Sequence, residues 1–117
     1  MDRPDPETFL PLTAPEYHVL LALGERALHG YGMMRSLEEK TGGKDELLPG
    51  TLYATLARMV GHGLLEELTV PPDPGADARR RYYRSTALGL SVARAESARL
   101  ARLLQVAAAA KLIPETR

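Results

Sequence analysis

Thr51, Thr55, Arg58 and His62 are spaced four, three and four residues apart. If the segment is helical, that spacing stacks them in one stripe beside the apolar face. Hydroxyls, a guanidinium and an imidazole bond phosphate oxygens and base edges when a helix lies in a major groove, and arginine can bond guanine bidentately. Any surface helix also has a polar flank, so the stripe alone leaves a merely solvated face open. A second concentration of chemistry lies at Arg79-Arg80-Arg81-Tyr82-Tyr83-Arg84. Four arginines with interleaved tyrosines beside a loop fit contact with backbone phosphates or entry into a narrow minor groove. The same run would also protect an edge strand from pairing with another chain.

Catalytic chemistry has less to work with. His18, His29 and His62 fall on three separate segments without metal-ligand spacing, and cysteine is absent, so no metal site, thiolate site or disulfide is expected. No phosphate-binding glycine loop or nucleophile-elbow motif occurs. The adjacent carboxylates Glu38/Glu39 and Glu66/Glu67 read as solvated pairs. No cofactor and no enzymatic activity are expected.

The elements that must position these groups belong to a chain of 117 residues, 44% apolar and 26% charged, the size and composition of one globular domain. A core of this size buries only about two thirds of the unfolded surface, which favours burial against a partner. No apolar stretch is long enough for a membrane helix and the first residues do not read as a signal peptide, so a cytoplasmic protein without membrane contact is expected. Fifteen basic residues balance fifteen acidic ones. Five bases against nine acids leave residues 1–48 at −4, so residues 49–117 carry +4.

Residues 1–12 read as a proline-rich and acidic arm, ordered only if it docks. Thr13-Ala14-Pro15-Glu16 has the spacing of a capping box and starts a first helix, with Tyr17, Leu20, Leu21 and Leu23 inward and Gly24 as its stop. A second helix spans His29–Lys40, with Arg35, Glu38 and Glu39 on its polar side. A third spans Thr51–His62 with Leu52, Leu56, Met59 and Val60 inward, ended by Gly63. Two extended segments, 64–70 and 79–85, flank a Pro/Gly-rich tip of about eight residues and predict a hairpin. Strand alternation turns Tyr83 inward and Arg80, Tyr82 and Arg84 outward, or the reverse with a bulge. Thr86 then caps a last helix reaching about Ile113.

That last helix would span roughly 40 Å, more than a three-helix body covers. Val92, Ala93, Leu100, Leu103, Leu104 and Ala107 form one apolar sector, with Glu96 inside it, either at a rim or paired across an interface. A second copy in a two-fold dimer is the least demanding cover.

Three stretches, His29-Gly30-Tyr31-Gly32-Met33, Gly50–Met59 with Gly63-Leu64-Leu65, and Arg81–Gly89, resemble the PadR family of bacterial transcriptional regulators, over residues 12 to about 104. The resemblance implies a mainly α fold with a small β-hairpin: a winged helix-turn-helix over residues 13–85 and a dimerisation helix over 86–117. It further implies a homodimer that binds a pseudo-palindromic operator in double-stranded DNA and represses a nearby promoter. Carried over by position, Thr51, Tyr53 and Arg58 fall on the recognition helix and Arg79, Arg80 and Arg81 on the second wing strand. With Arg35, Thr55 and His62 they complete the expected DNA-facing set. Gly32, Ala54 and Val60 depart from the family's common residues. Some members sense small molecules between the subunits, and such an effector at the dimer interface would here meet Tyr and Met, with no Trp and one Phe available. The rival reading keeps the fold as a protein-interaction module without DNA.

Overall fold

A computed structural model describes residues 4–114. Thr13 caps helix α1 (Ala14–Leu23) through the predicted capping box: its Oγ1 accepts the Glu16 N–H at 3.2 Å and Glu16 Oε1 accepts the Thr13 N–H at 2.8 Å. The buried side of α1 is Val19, Leu20, Ala22 and Leu23, not the expected set. Leu21 is exposed, and half-buried Tyr17 shares a 2.7 Å hydrogen bond with Ser97 Oγ. The middle of α1 is apolar on every side, so its own periodicity does not choose a face. Packing against three other helices does.

After the two-residue strand β1 (Leu28–His29), helix α2 (Gly30–Thr41) buries Met33 and Leu37 and stops at the left-handed Gly42. The end of α1 would leave carbonyls without partners. Ser36 Oγ donates to Ala22 O at 2.9 Å and Lys40 Nζ to Leu21 O at 2.7 Å, so α2 supplies them. Helix α3 (Pro49–Gly61) starts two residues earlier than expected because Pro49 suits a first turn, where its missing N–H costs nothing. It ends in a Schellman motif: left-handed Gly63 donates to Val60 O at 3.0 Å and Leu64 donates to Met59 O at 2.9 Å. Val60, expected inward, is exposed, and Thr55 takes the inward place beside Leu52, Leu56 and Met59.

The expected two-stranded hairpin is a three-stranded antiparallel sheet in the order β1-β3-β2, with β2 (Leu65–Glu67) and β3 (Tyr82–Ser85) shorter than read from sequence. Residues 68–81 connect them, a longer tip than predicted. Glu66 pairs with Arg84 and His29 with Tyr82. Because β1 lies on the second edge of β3, the His29 ring covers Tyr82 edge-on at 5.4 Å. Both tyrosines are therefore buried, where alternation predicts one outward.

Helix α4 (Ala87–Ala109) is capped by Thr86, whose Oγ1 accepts the Gly89 N–H at 3.0 Å. It ends before the predicted Ile113, in a second Schellman motif: Lys111, at φ 62°, donates to Ala108 O and Leu112 donates to Ala107 O. Val92 and Glu96, expected at a dimer face, are buried inside their own chain at 0% and 2% exposure. The Glu96 carboxylate accepts from Arg99 Nε and, at 2.8 Å, from the Leu12 N–H. That last bond fastens the arm, whose 3-10 turn (Pro6–Phe9), capped by Asp5, lies on α4. The arm is described from Pro4 and the tail to Pro114, and the remaining residues of both lie outside the described part.

Where the first turn of α4 meets the turn that follows α3, a Cβ on Gly89 would overlap the Leu64 carbonyl, which also accepts the Thr86 N–H. Gly89→Ala is expected to destabilise the fold by about 3 kcal/mol, the scale of overpacking against rigid backbone. Gly61→Ala, with open space around it, should be neutral or stabilising by up to about 1 kcal/mol. Urea unfolding at one protein concentration checks both.

Candidate nucleic-acid interface

The polar stripe predicted on α3 divides once its neighbours are in place. Thr51 is exposed near the helix start, whereas Thr55 is 2% exposed and unable to reach a ligand, which removes it from the DNA-facing set. Its β-branched side chain lies on the edge of the stripe nearest the core, where a methyl packs well. Arg58 is partly exposed and lies 3.5 Å from Glu16 of α1, and His62 faces the ring of Phe9 at 6.5 Å. The opposite flank carries exposed Tyr53 and Val60, and between the flanks stand only small residues, Gly50, Ala54, Ala57 and Gly61.

Tyr53 connects α3 to the other elements. Gly30, the first residue of α2, has no side chain, and the Tyr53 hydroxyl occupies the space that a Cβ would need. Tyr53, His29, Gly30 and Tyr31 meet Arg80, Arg81 and Tyr83 around a notch of about 220 Å³. A neighbouring notch of about 320 Å³ is lined by Tyr53, Ala57, Val60, Glu67, Arg81 and Tyr83. The sheet thus sets the arginine segment against the exposed flank of α3. The arginines stand in the connector ahead of β3, not on the strand as the resemblance implies.

The charged groups here are mutually engaged. The Arg81 side chain forms two hydrogen bonds to Glu67, and the Arg79 side chain forms two to Asp77, which also lies 3.7 Å from Arg80. Hydrogen bonds from these arginines hold the Glu67 and Asp77 carboxyls below the usual range. Tyr31 lies between Arg35 and Arg80, whose guanidinium carbons are 6.0 and 5.9 Å from its ring centre. Arg35 is 3.7 Å from Glu39. Sequence reasoning missed His29, Tyr31, Glu67 and Asp77. His29 and Tyr31 stand in a glycine-containing motif that bears on the family, but they have no visible partner until β1 pairs with β3.

On α4, Leu103 and Leu104 are 52% and 58% exposed, with Val106 beside them, while Ala93, Leu100 and Ala107 are half-buried. Among the described residues no cluster of His, Asp and Glu able to hold a metal occurs, and no helix is long and apolar enough to cross a membrane.

A helix pair with an exposed second helix, followed by a sheet whose connector stands beside that helix, defines a winged helix-turn-helix, with α2 and α3 as the helix pair and residues 65–85 as the wing. The profile of the PadR-like family of transcriptional regulators matches residues 19–95, and the chain belongs to that family. The fold is similar to a transcriptional regulator from Clostridium thermocellum, at 24% identity and TM-score 0.66, with 79% of this chain and 84% of that one covered. It is also similar to a PadR-like transcription factor from Bacteroides fragilis, at 26% identity and TM-score 0.61, covering 78% and 84%. Bacillus subtilis PadR, solved in complex with operator DNA, matches at 19% identity and TM-score 0.58, covering 72% and 46%. No curated protein sequence matches the chain significantly.

His29 lends this interface a titratable joint. Its Nδ1 accepts the Gly32 N–H at 3.0 Å, capping α2, and lies 3.2 Å from Arg80 Nη1. Both contacts need an unprotonated Nδ1. Burial, and then the charge of Arg80, hold the imidazole pKa below its ordinary value, with Asp77 opposing. A pKa depressed on folding adds stability that is present above the unfolded-state value of about 6.5 and lost as pH falls through the folded-state value. His29→Asn keeps an acceptor that does not titrate, so it should flatten this part of the pH dependence, whereas His29→Ala should cost about 1 kcal/mol near pH 8. Urea unfolding across pH 5–8 separates them.

Proposed function

We propose that this protein is a homodimeric, sequence-specific DNA-binding repressor that works in the cytoplasm, with residues 13–85 as the reading unit and 86–117 as the dimerisation segment. The observation that carries the reading is the joint opening of α3 and the wing on one face, where Tyr53, Arg80 and Arg81 line the same notch. Thr51, Tyr53 and Arg58 lie along the recognition helix, with His62 at its end. Arg35, Arg79, Arg80 and Arg81 flank it as phosphate contacts, since guanidiniums at the edge of a groove set register and bases set sequence. The B. subtilis PadR–operator complex supports DNA as the partner.

A second copy supplies the cover for α4. Leu103, Leu104 and Val106 continue the helix beyond the part packed on its own domain, and a two-fold pairing there buries them while presenting two recognition helices to one side of a duplex. Two such helices fit half-sites about 10 base pairs apart. With Val92 and Glu96 committed to the core, the proposed interface reduces to Leu100, Leu103, Leu104, Val106 and Ala107, with Ala93 at its inner edge. A small-molecule effector between the subunits would lie along the same helices.

Fluorescence anisotropy with a duplex selected by the protein from a random pool should show affinity falling steeply with salt. Arg80→Ala should weaken binding to the selected duplex and lower the salt slope by about one for each phosphate that is no longer neutralised. A salt-independent titration would leave a protein-docking module instead. Leu103→Asp with Leu104→Asp should yield a monomer by sedimentation that no longer binds the selected duplex. A dimer that persists in this variant overturns the α4 interface.

A further inference from the structure

The adjacent carboxylates on β2 and the acid in the wing tip stand among the arginines assigned to phosphate. Glu67 ends β2 and is fixed by its ladder, and Arg81 grips it through Nε at 3.1 Å and Nη2 at 2.6 Å. Asp77 is fixed by its own turn, accepting the Arg79 N–H at 2.9 Å, and it engages both Arg79 and Arg80. The Glu67–Arg81 pair lines the notch formed with Tyr53, Ala57 and Val60 of α3. Its carboxylate therefore stands on the surface to which a duplex would come.

Any phosphate that takes Arg81 must draw it off Glu67 or accept the nearby negative charge. The same holds for Arg79 and Arg80 against Asp77. Like charge brought together at an interface is unfavourable, and it is a means of rejecting wrong partners. A random duplex offers the same phosphates without matching base edges, whereas a correct site also offers base contacts to α3.

We propose that Glu67 and Asp77 are specificity-determining residues, which hold the wing arginines in ion pairs so that a duplex is bound tightly only where base contacts drive the exchange. This deepens, and rests on, the DNA-binding reading above. Hydrogen bonds from the arginines hold both carboxyls below their ordinary pKa, which favours the ionised, paired state. Neutrality of the whole chain agrees with it, because little net charge remains to attract DNA from a distance.

The test compares Glu67→Gln, Asp77→Asn and the wild type on a random-sequence duplex and on a duplex that the wild type has selected from a random pool. Glu7→Gln, on the arm turn, makes the same change in formal charge elsewhere. The two wing variants should tighten binding to the random duplex by about fivefold, the scale of one exposed ion pair. Binding to the selected duplex should gain less, so the ratio of the two affinities falls. Glu7→Gln should leave that ratio in place. If both wing variants keep the wild-type ratio, or if Glu7→Gln lowers it equally, the proposal is wrong while DNA binding stands. If the wild type selects no duplex at all, the DNA-binding reading falls and takes this proposal with it.

Discussion

Pairing of β3 on both of its edges is the constraint from which the functional face follows. β2 alone would form a hairpin projecting from the helices. With β1 on the other edge, the residue before α2 is bonded into the same sheet as the second strand of the wing. His29 then belongs to the strand and caps the helix at once, and the connector arginines come to lie beside Tyr53. The glycine at the start of α2 permits that approach, since any side chain there would push the Tyr53 phenol away. Local capping, sheet register and the spacing between α2 and α3 are thus one coupled arrangement.

Much of this is legible in the sequence where a short-range rule decides the outcome. Thr13 with Glu16, Thr86, Gly42 and Gly63 all mark helix ends for reasons that act within one turn. The order of the helices follows from them, the wing from its Pro/Gly-rich tip, and the family resemblance from the three motif stretches. Strand β1 is not legible, because two residues carry no alternation, and with β1 unseen Tyr82 reads as an outward residue. Nor does the sequence decide the face of α1, where Leu21 and Leu23 are equally apolar and only the placement of the other helices distinguishes them.

The candidate site is legible as residue types but not as partners. Thr55 and Thr51 look alike in sequence, yet one is sealed in the core. Glu96 reads as part of an intersubunit surface because it lies in an apolar sector. Its carboxylate is satisfied by Arg99 and by the backbone of Leu12, a residue 84 positions earlier. A contact at that separation has no local signature. Its effect is to divide α4 into a first half that belongs to the domain and a second half that projects from it.

Glu16 offers a smaller case of one group answering to two neighbours. One oxygen closes the start of α1 through Thr13, and the other lies within ion-pair range of Arg58 near the end of α3. Glutamine could still close the turn but would loosen the tether. Aspartate, one methylene shorter, would fall short of both. Position 16 therefore serves two neighbours at once, and the set of the Arg58 side chain on α3 depends on a residue of another helix.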